Sequence, residues 1–428
     1  MRLTVLLTLL LLLLAVPATA SIEIRAPGRQ TIPLAATRLL SQGAVPPQAL
    51  GDFDEALNHV LLLSGLFDLV DPRSFLADAR RVGLTSSQVD FGEWRLLGAD
   101  VVVKGLSRME GDNLVVEVRL FDVARRRLLT GRRYVGTPAD ARRMAHRFAD
   151  QILKSLTGEE GPFSSRIAYI NTSSGHKELW MMDIDGRNAV RLTNHRSIVL
   201  NPDFSPVGRE LLFTSYRADN PDLYRKDIFS GREVRVSARP GLNIAGRFRP
   251  DGGEIVLALS TDGTSNLHLL GTDGRHRRRL TSHWGIDVDP SWSPAGDRLA
   301  FVSDRLGNPQ IFLLDIPTGK VSRLAIGGRY NATPAWSPKG DRIAFTRMDE
   351  GRFDVYTAAP DGSQERRLTF GPGNNEHPRW SPDGRFLVYS STQSGSNAIY
   401  IMRADGTGIT RVSPPGGESN HPAWSGRW

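Results

Sequence analysis

Trp292-Ser293-Pro294-Ala295-Gly296, Trp336-Ser337-Pro338-Lys339-Gly340 and Trp380-Ser381-Pro382-Asp383-Gly384 recur at intervals of 44 residues. The register runs on in both directions, through Phe204 and Phe248 upstream and Trp424 downstream. The same step relates the apolar starts Ile167, Leu211, Ile255, Leu299, Ile343 and Leu387, and the ladder Arg191, Arg235, Arg279, Arg323, Arg367 and Arg411. Within a unit, short runs of Val, Ile, Leu, Phe and Tyr are separated by turn pairs such as Asp185-Gly186, Asp273-Gly274, Asp361-Gly362 and Asp405-Gly406, which is strand and hairpin chemistry. Four strands per unit at a period of about 40 to 45 residues mark a WD40-like propeller blade. Six units predict an all-β six-bladed β-propeller over residues 161–428.

The ends of the repeat predict how the ring shuts. Trp424 is the sixth aromatic of the ladder, yet no aromatic stands at Glu160, one step before Phe204. The C-terminal segment should therefore supply the inner strand of the blade begun at Arg166, leaving no free edge there. One aromatic-Ser-Pro-x-Gly per blade is what a repeat core needs: the Pro and Gly shape a turn and the aromatic packs between sheets. The Arg ladder decorates the outer strands.

Differences between blades carry more functional information. The position three before each motif aromatic runs Asn201, Ala245, Asp289, Thr333, His377 and His421. Around it lie Asn243, Asp287, Asn331, Asn375, Glu376 and Asn420. If these occupy the crossings from one blade to the next, they converge on the channel mouth; solvated loops would read the same way, because loops on a rigid scaffold are polar with or without a ligand. His377 and His421 fall in adjacent blades, but the spacing dictates no third metal ligand.

Before the repeats, residues 21–160 mix helix and strand. Phe53, Ala56, Leu57, Val60 and Leu61 keep a helical period, as do Met144, Ala145, Phe148, Ile152 and Leu156. Strands are expected at 67–70, 100–104, 114–121 and 128–135, and a short hinge-like connection at 157–162. This is an α/β domain without a G-x-G-x-x-G fingerprint. At the start, Arg2, an apolar run over residues 5–16 and Pro17-Ala18-Thr19-Ala20 have the form of a cleaved signal peptide, residues 1–20. A core of about a dozen residues falls short of the roughly 20 that span a bilayer.

The chain has 428 residues, 54 Lys+Arg against 46 Asp+Glu and no cysteine. Disulfides and Cys-ligated metal are thereby excluded, and basic residues distributed along the chain weigh against nucleic-acid binding. No G-x-S-x-G, G-x-x-x-x-G-K-[ST] or H-E-x-x-H is present, so no catalytic residue and no cofactor is assigned.

Taken together, the signal peptide, the α/β domain ending in ILKSLTGEEGPFSSRIAYI, the six repeats and the closing HPAWSGRW resemble the TolB family, whose propellers are built from PD40 repeats and which is the periplasmic component of the Tol-Pal system. The resemblance implies a monomeric, non-enzymatic adaptor between TolA and the peptidoglycan-associated lipoprotein Pal, in a system that includes TolQ and TolR, serving outer-membrane integrity and invagination at cell division. It also implies that the tail, with Ser21, Ile22, Glu23, Ile24 and Arg25, binds TolA, and that the channel mouth seats Pal. Alternation of Ile22 and Ile24 with Glu23 and Arg25 suits strand addition to a partner's sheet; it equally suits a first strand of the α/β domain. A secreted hydrolase or lyase, or a glycan-binding propeller, are readings from other classes.

Overall fold

The computed structural model describes residues 31–260, 263–324 and 326–428; the signal peptide and the tail residues Ser21 to Arg25 lie outside the described residues. In the α/β domain, β1 (Ile32–Ala36), β2 (Leu40–Gln42) and β3 (Phe67–Leu69) join a meander of β4 (Val101–Glu110), β5 (Asn113–Asp122) and β6 (Arg127–Gly136), in the order β3-β1-β4-β5-β6 with β2 beside β4. Alternation along β4 sends Val101 and Val103 to one face and Val102 to the other. Helices α1 (Pro47–Ser64) and α3 (Ala141–Thr157) cover the first face. Pro47 opens α1 where its missing N–H costs nothing. Gly65 ends it at φ 67°, donating to the Leu62 carbonyl. The second face is closed by Phe91 and Trp94 of α2 (Phe91–Leu96) and by the coil before it.

The expected helices and the four expected strands lie in α1, α3 and β3 to β6, whereas β1, β2 and α2 were not anticipated. Pro33 and the brevity of IPLAA and LSQ hide a strand signal that depends on alternation over several residues.

Six four-stranded antiparallel sheets form the propeller. Their inner strands are Val199–Phe204, Asn243–Phe248, Asp287–Trp292, Asn331–Trp336, Asn375–Trp380 and Ser419–Trp424, numbered here as blades one to six. The last pairs with Arg166–Asn171, so the two halves of blade six come from opposite ends of the chain. Trp292, Trp336 and Trp380 are buried between sheets; Trp380 donates its indole N–H to the Ala335 carbonyl of the preceding blade at 3.0 Å.

Within each blade the chain runs out at the end that carries the Ser-Pro turns and the hairpin between third and fourth strands. The α/β domain sits on that end. Its core is continuous with Ile167, Tyr169, Phe386 and Ile399 of blades six and five, and Arg142 reaches Asp185 at 2.6 Å. The segment expected to act as a hinge is tied down: Arg385 bonds Glu159 at 2.9 Å, Arg427 bonds the carbonyls of Glu160 and Gly161, and the Asp150 carboxylate accepts the N–H groups of Phe163 and Ser164. Burial lifts the Asp150 carboxyl to about 6 against those hydrogen bonds. The opposite end of the channel, where blades cross, is left clear of the α/β domain.

Candidate functional site

Every inner strand breaks register at the same place, just before its motif aromatic. At each break one residue has positive φ: Asn201 53°, Ala245 54°, Asp289 49°, Thr333 48°, His377 57° and His421 48°. Five of the six precede proline, and Gly246 follows Ala245. A proline cannot donate to the ladder and is tolerated in a strand at a bulge, and a bulge re-aims the side chain at its apex. These six residues are thus not crossing loops, as the sequence suggested, but a ring of apices within the inner strands.

Around this ring Asn201, Asp289, Thr333, His377 and His421 are half-buried and Ala245 is fully buried. The His377 and His421 rings lie 4.0 Å apart. His377 Nδ1 is 3.3 Å from Ser390 Oγ and His421 Nδ1 is 3.0 Å from Asn420 Oδ1. Two residues further along the strands come Asp203, Arg247 and Arg379. Asp203 accepts the Phe248 N–H at 2.9 Å, and Arg247 spans to the Asn201 and Pro202 carbonyls at 3.4 and 3.3 Å. Beyond them the aromatics and prolines of the motif enclose about 390 Å³.

Burial dominates the electrostatics here. It lowers His377 well below its usual value, with His421, Arg379 and Arg247 adding repulsion, and it brings His421 to about 4. Burial and Arg247 lower Arg379 to about 9, while burial raises Asp203 and Glu376. Both imidazoles are therefore neutral at pH 7, above two guanidiniums.

Between roughly pH 6.5 and 4 the unfolded chain protonates these imidazoles and the folded channel does not, so their contribution to stability is full above pH 6.5 and is lost as pH falls through that window. Asn tolerates positive φ, so His377→Asn/His421→Asn should fold and should flatten the acid side of the stability curve, the His421 shift alone accounting for on the order of 2–3 kcal/mol. Urea melts at pH 7 and pH 4.5 would measure it. Equal pH slopes in the two proteins would mean that water reaches the rings.

Asn243, Asp287, Asn331 and Asn375 are at most 2% exposed and turn away from the channel. Asn243 accepts from Ser237 Oγ and the Arg239 N–H, and donates to the Arg239 and Gly241 carbonyls. Asp287 takes Arg305 at 2.9 and 3.0 Å. Asn331 joins Gln310, the Gly327 carbonyl and Arg347, while Asn375 donates to Asp354. Asn243, Asn331 and Asn375 staple the crossings between blades and Asp287 ties its strand to the next hairpin of its own blade, as buried polar groups require partners; Asn375 Oδ1 is left without one among the described residues. Glu376 and Asn420 remain half-buried beside the ring.

Sequence motifs gave no catalytic group, and the described residues include a Ser-His-Glu contact. Ser215 Oγ lies 2.8 Å from His195 Nδ1, whose Nε2 is 3.0 Å from Glu233. Ser215 is fully buried and its Oγ accepts the Arg217 N–H at 3.3 Å, so no substrate carbonyl can approach it. Among the described residues no group of three or more His, Asp or Glu is placed to hold a metal.

A family model described as the TolB beta propeller domain matches residues 153–427, well over half of the chain. The chain belongs to the TolB family. A second model, the TolB amino-terminal domain, matches residues 20–129. The Tol-Pal system protein TolB of Syntrophotalea carbinolica is 63% identical over 209 residues, covering 48% of this chain and 49% of that one. The protein of the same name from Geobacter sulfurreducens is 45% identical over 190 residues, 44% and 43% of the two chains. In these alignments the chain spans about half the length of the curated relatives it matches. The crystal structure of TolB from Acinetobacter baumannii superposes with a TM-score of 0.80 at 26% identity, over 93% of this chain and 97% of that one. The propeller with its preceding α/β domain is thus a shared TolB architecture. No described helix is long and apolar enough to cross a membrane.

Proposed function

We propose that this TolB-family chain is a periplasmic, non-enzymatic component of the Tol-Pal system that joins TolA to Pal and so supports outer-membrane integrity and invagination at division. The observation that carries the reading is the ring of Asn201, Asp289, Thr333, His377 and His421, held by bulges at the propeller end that the α/β domain leaves clear. A rigid concave ring with neutral imidazoles and buried guanidiniums suits a protein segment that brings carbonyls and carboxylates. The names of the relatives supply the system, and the segment with Ser21, Ile22, Glu23, Ile24 and Arg25 supplies a second, separate contact for TolA.

Interface energy concentrates in a few central, desolvated side chains. Truncating His377 or His421 to Ala is expected to weaken Pal binding by about 2 kcal/mol or more, and Asp289→Ala to act chiefly on association rate and its salt dependence. Arg411→Ala, on an exposed outer strand, should change neither. Removing residues 21–25 should abolish TolA binding and spare Pal. Titration calorimetry with purified Pal and TolA would read these differences; equal Pal affinity in all the propeller variants would move Pal off the channel.

A further inference from the structure

The α/β domain carries a cavity of its own, apart from the channel ring. It is a groove of about 870 Å³ between α1 and residues 72–80. The groove exists because β3 is short. After Val70 donates to the Leu34 carbonyl at 3.0 Å, Asp71 caps a turn at Pro72–Ser74 and the chain swings away from the sheet. Residues 36–42 therefore have β4 on one side and, among the described residues, no strand on the other. On the β4 side their polar groups are satisfied: Thr37 N donates to the Val103 carbonyl, and the Leu40 carbonyl accepts Ser107 Oγ. The far side forms the floor of the groove.

Its walls are apolar with a basic rim. Leu40, Leu50 and Phe75 are half-buried and Leu76 is 44% exposed. Arg38, Arg73 and Arg80 stand around them, against the single groove carboxylate Asp54, whose Oδ1 accepts the Leu39 N–H at 3.0 Å. Arg73 is held by Asp71 at 2.6 Å. Arg38 and Arg80 make no ion pair within 4 Å among the described residues.

We propose that this groove binds an extended segment of a partner protein, one that alternates apolar and acidic residues, by adding it as a strand to the open edge at residues 36–42. Strand addition satisfies main-chain groups while alternate side chains enter pockets. Here one set of side chains meets Leu40, Leu50 and Phe75, and the other reaches Arg38 and Arg80.

Gly51 provides a clean block. It lines the groove within α1, its φ is not positive, and a Cβ built on it meets nothing within 4 Å. Gly51→Trp should fill the groove and leave folding intact. The probe is a fluorescein-labelled hexapeptide of alternating Val and Glu, against its Val and Lys counterpart, titrated into the full chain by anisotropy. Saturable binding of the Glu peptide, at least tenfold tighter than the Lys peptide, is expected. Gly51→Trp should lose it at unchanged melting temperature, Arg38→Glu/Arg80→Glu should reverse the preference, and amide exchange at residues 36–42 should slow on binding. Absence of saturable binding, equal binding of both peptides, or full binding by Gly51→Trp would overturn the proposal. So would binding that appears only after residues 21–30 are removed, which would make the chain's own segment the occupant. A dimer in sedimentation that Gly51→Trp dissolves would make a second copy the occupant and would overturn it equally.

Discussion

A chain ending at Glu418 is expected to lose cooperative unfolding of the propeller and to aggregate. The missing residues include the inner strand of blade six, which pairs Ser419 with Asn171 and Trp424 with Ile167. They also carry the clasp around the start of the propeller. Trp424 Nε1 donates to Ser165 Oγ at 2.6 Å, Ser425 exchanges two hydrogen bonds with the Arg166 backbone, and the Arg166 guanidinium lies 4.4 Å over the Trp428 ring. Without them the strand Arg166–Asn171 becomes an exposed apolar edge, and such edges template association. A graded version is Trp424→Ala, for which an aromatic-to-Ala change predicts a loss of about 3 kcal/mol. Calorimetric melts and light scattering would follow both. A melting temperature unchanged by the truncation would show that blade six holds with three strands.

How much of this was legible in the sequence depends on what repeated. The aromatic ladder and the apolar starts fall at fixed positions in every blade, so architecture and blade number could be read from spacing alone. The ring needed a different signal. Asn201-Pro202, Asp289-Pro290, Thr333-Pro334, His377-Pro378 and His421-Pro422 put a proline inside what must be a paired strand, and that conflict marks a bulge. Polarity alone placed the same residues in loops. Asn243, Asp287, Asn331 and Asn375 show the limit of that approach: a polar side chain beside a crossing has the same letter whether it faces a ligand or stitches a buried turn. The open edge at residues 36–42 escaped notice because β1 and β2 are too short to alternate visibly.

Lys104 escaped for the opposite reason, since it follows Val101-Val102-Val103 and passes for the polar end of an apolar run. Its side chain and that of Asp78 are each 1% exposed, and Nζ contacts Asp78 Oδ2 at 2.7 Å. Asp78 also accepts the Trp94 indole N–H at 2.7 Å and the Asp90 N–H at 3.1 Å. Burial pushes the Asp78 carboxyl upward, but Lys104 and these two donors outweigh it and hold the group below its usual value. Lys104→Met should then cost about 3–5 kcal/mol at pH 7, because it strands a buried carboxylate, and Asp78→Asn should cost a similar amount by stranding the ammonium. Lys104→Met/Asp78→Leu should cost much less than the two losses added, since no charge remains to desolvate. The pH sign follows from the lowered carboxyl: its contribution is full above about pH 4 and is lost as pH falls through the folded value, so Asp78→Asn should flatten the acid limb in that range. Urea unfolding of the four proteins at pH 7 and pH 3 would test both points. Single variants within about 1 kcal/mol of the parent would mean that water solvates the pair, and the coil that covers the second face of the sheet would then be held by Phe91 and Trp94 packing alone.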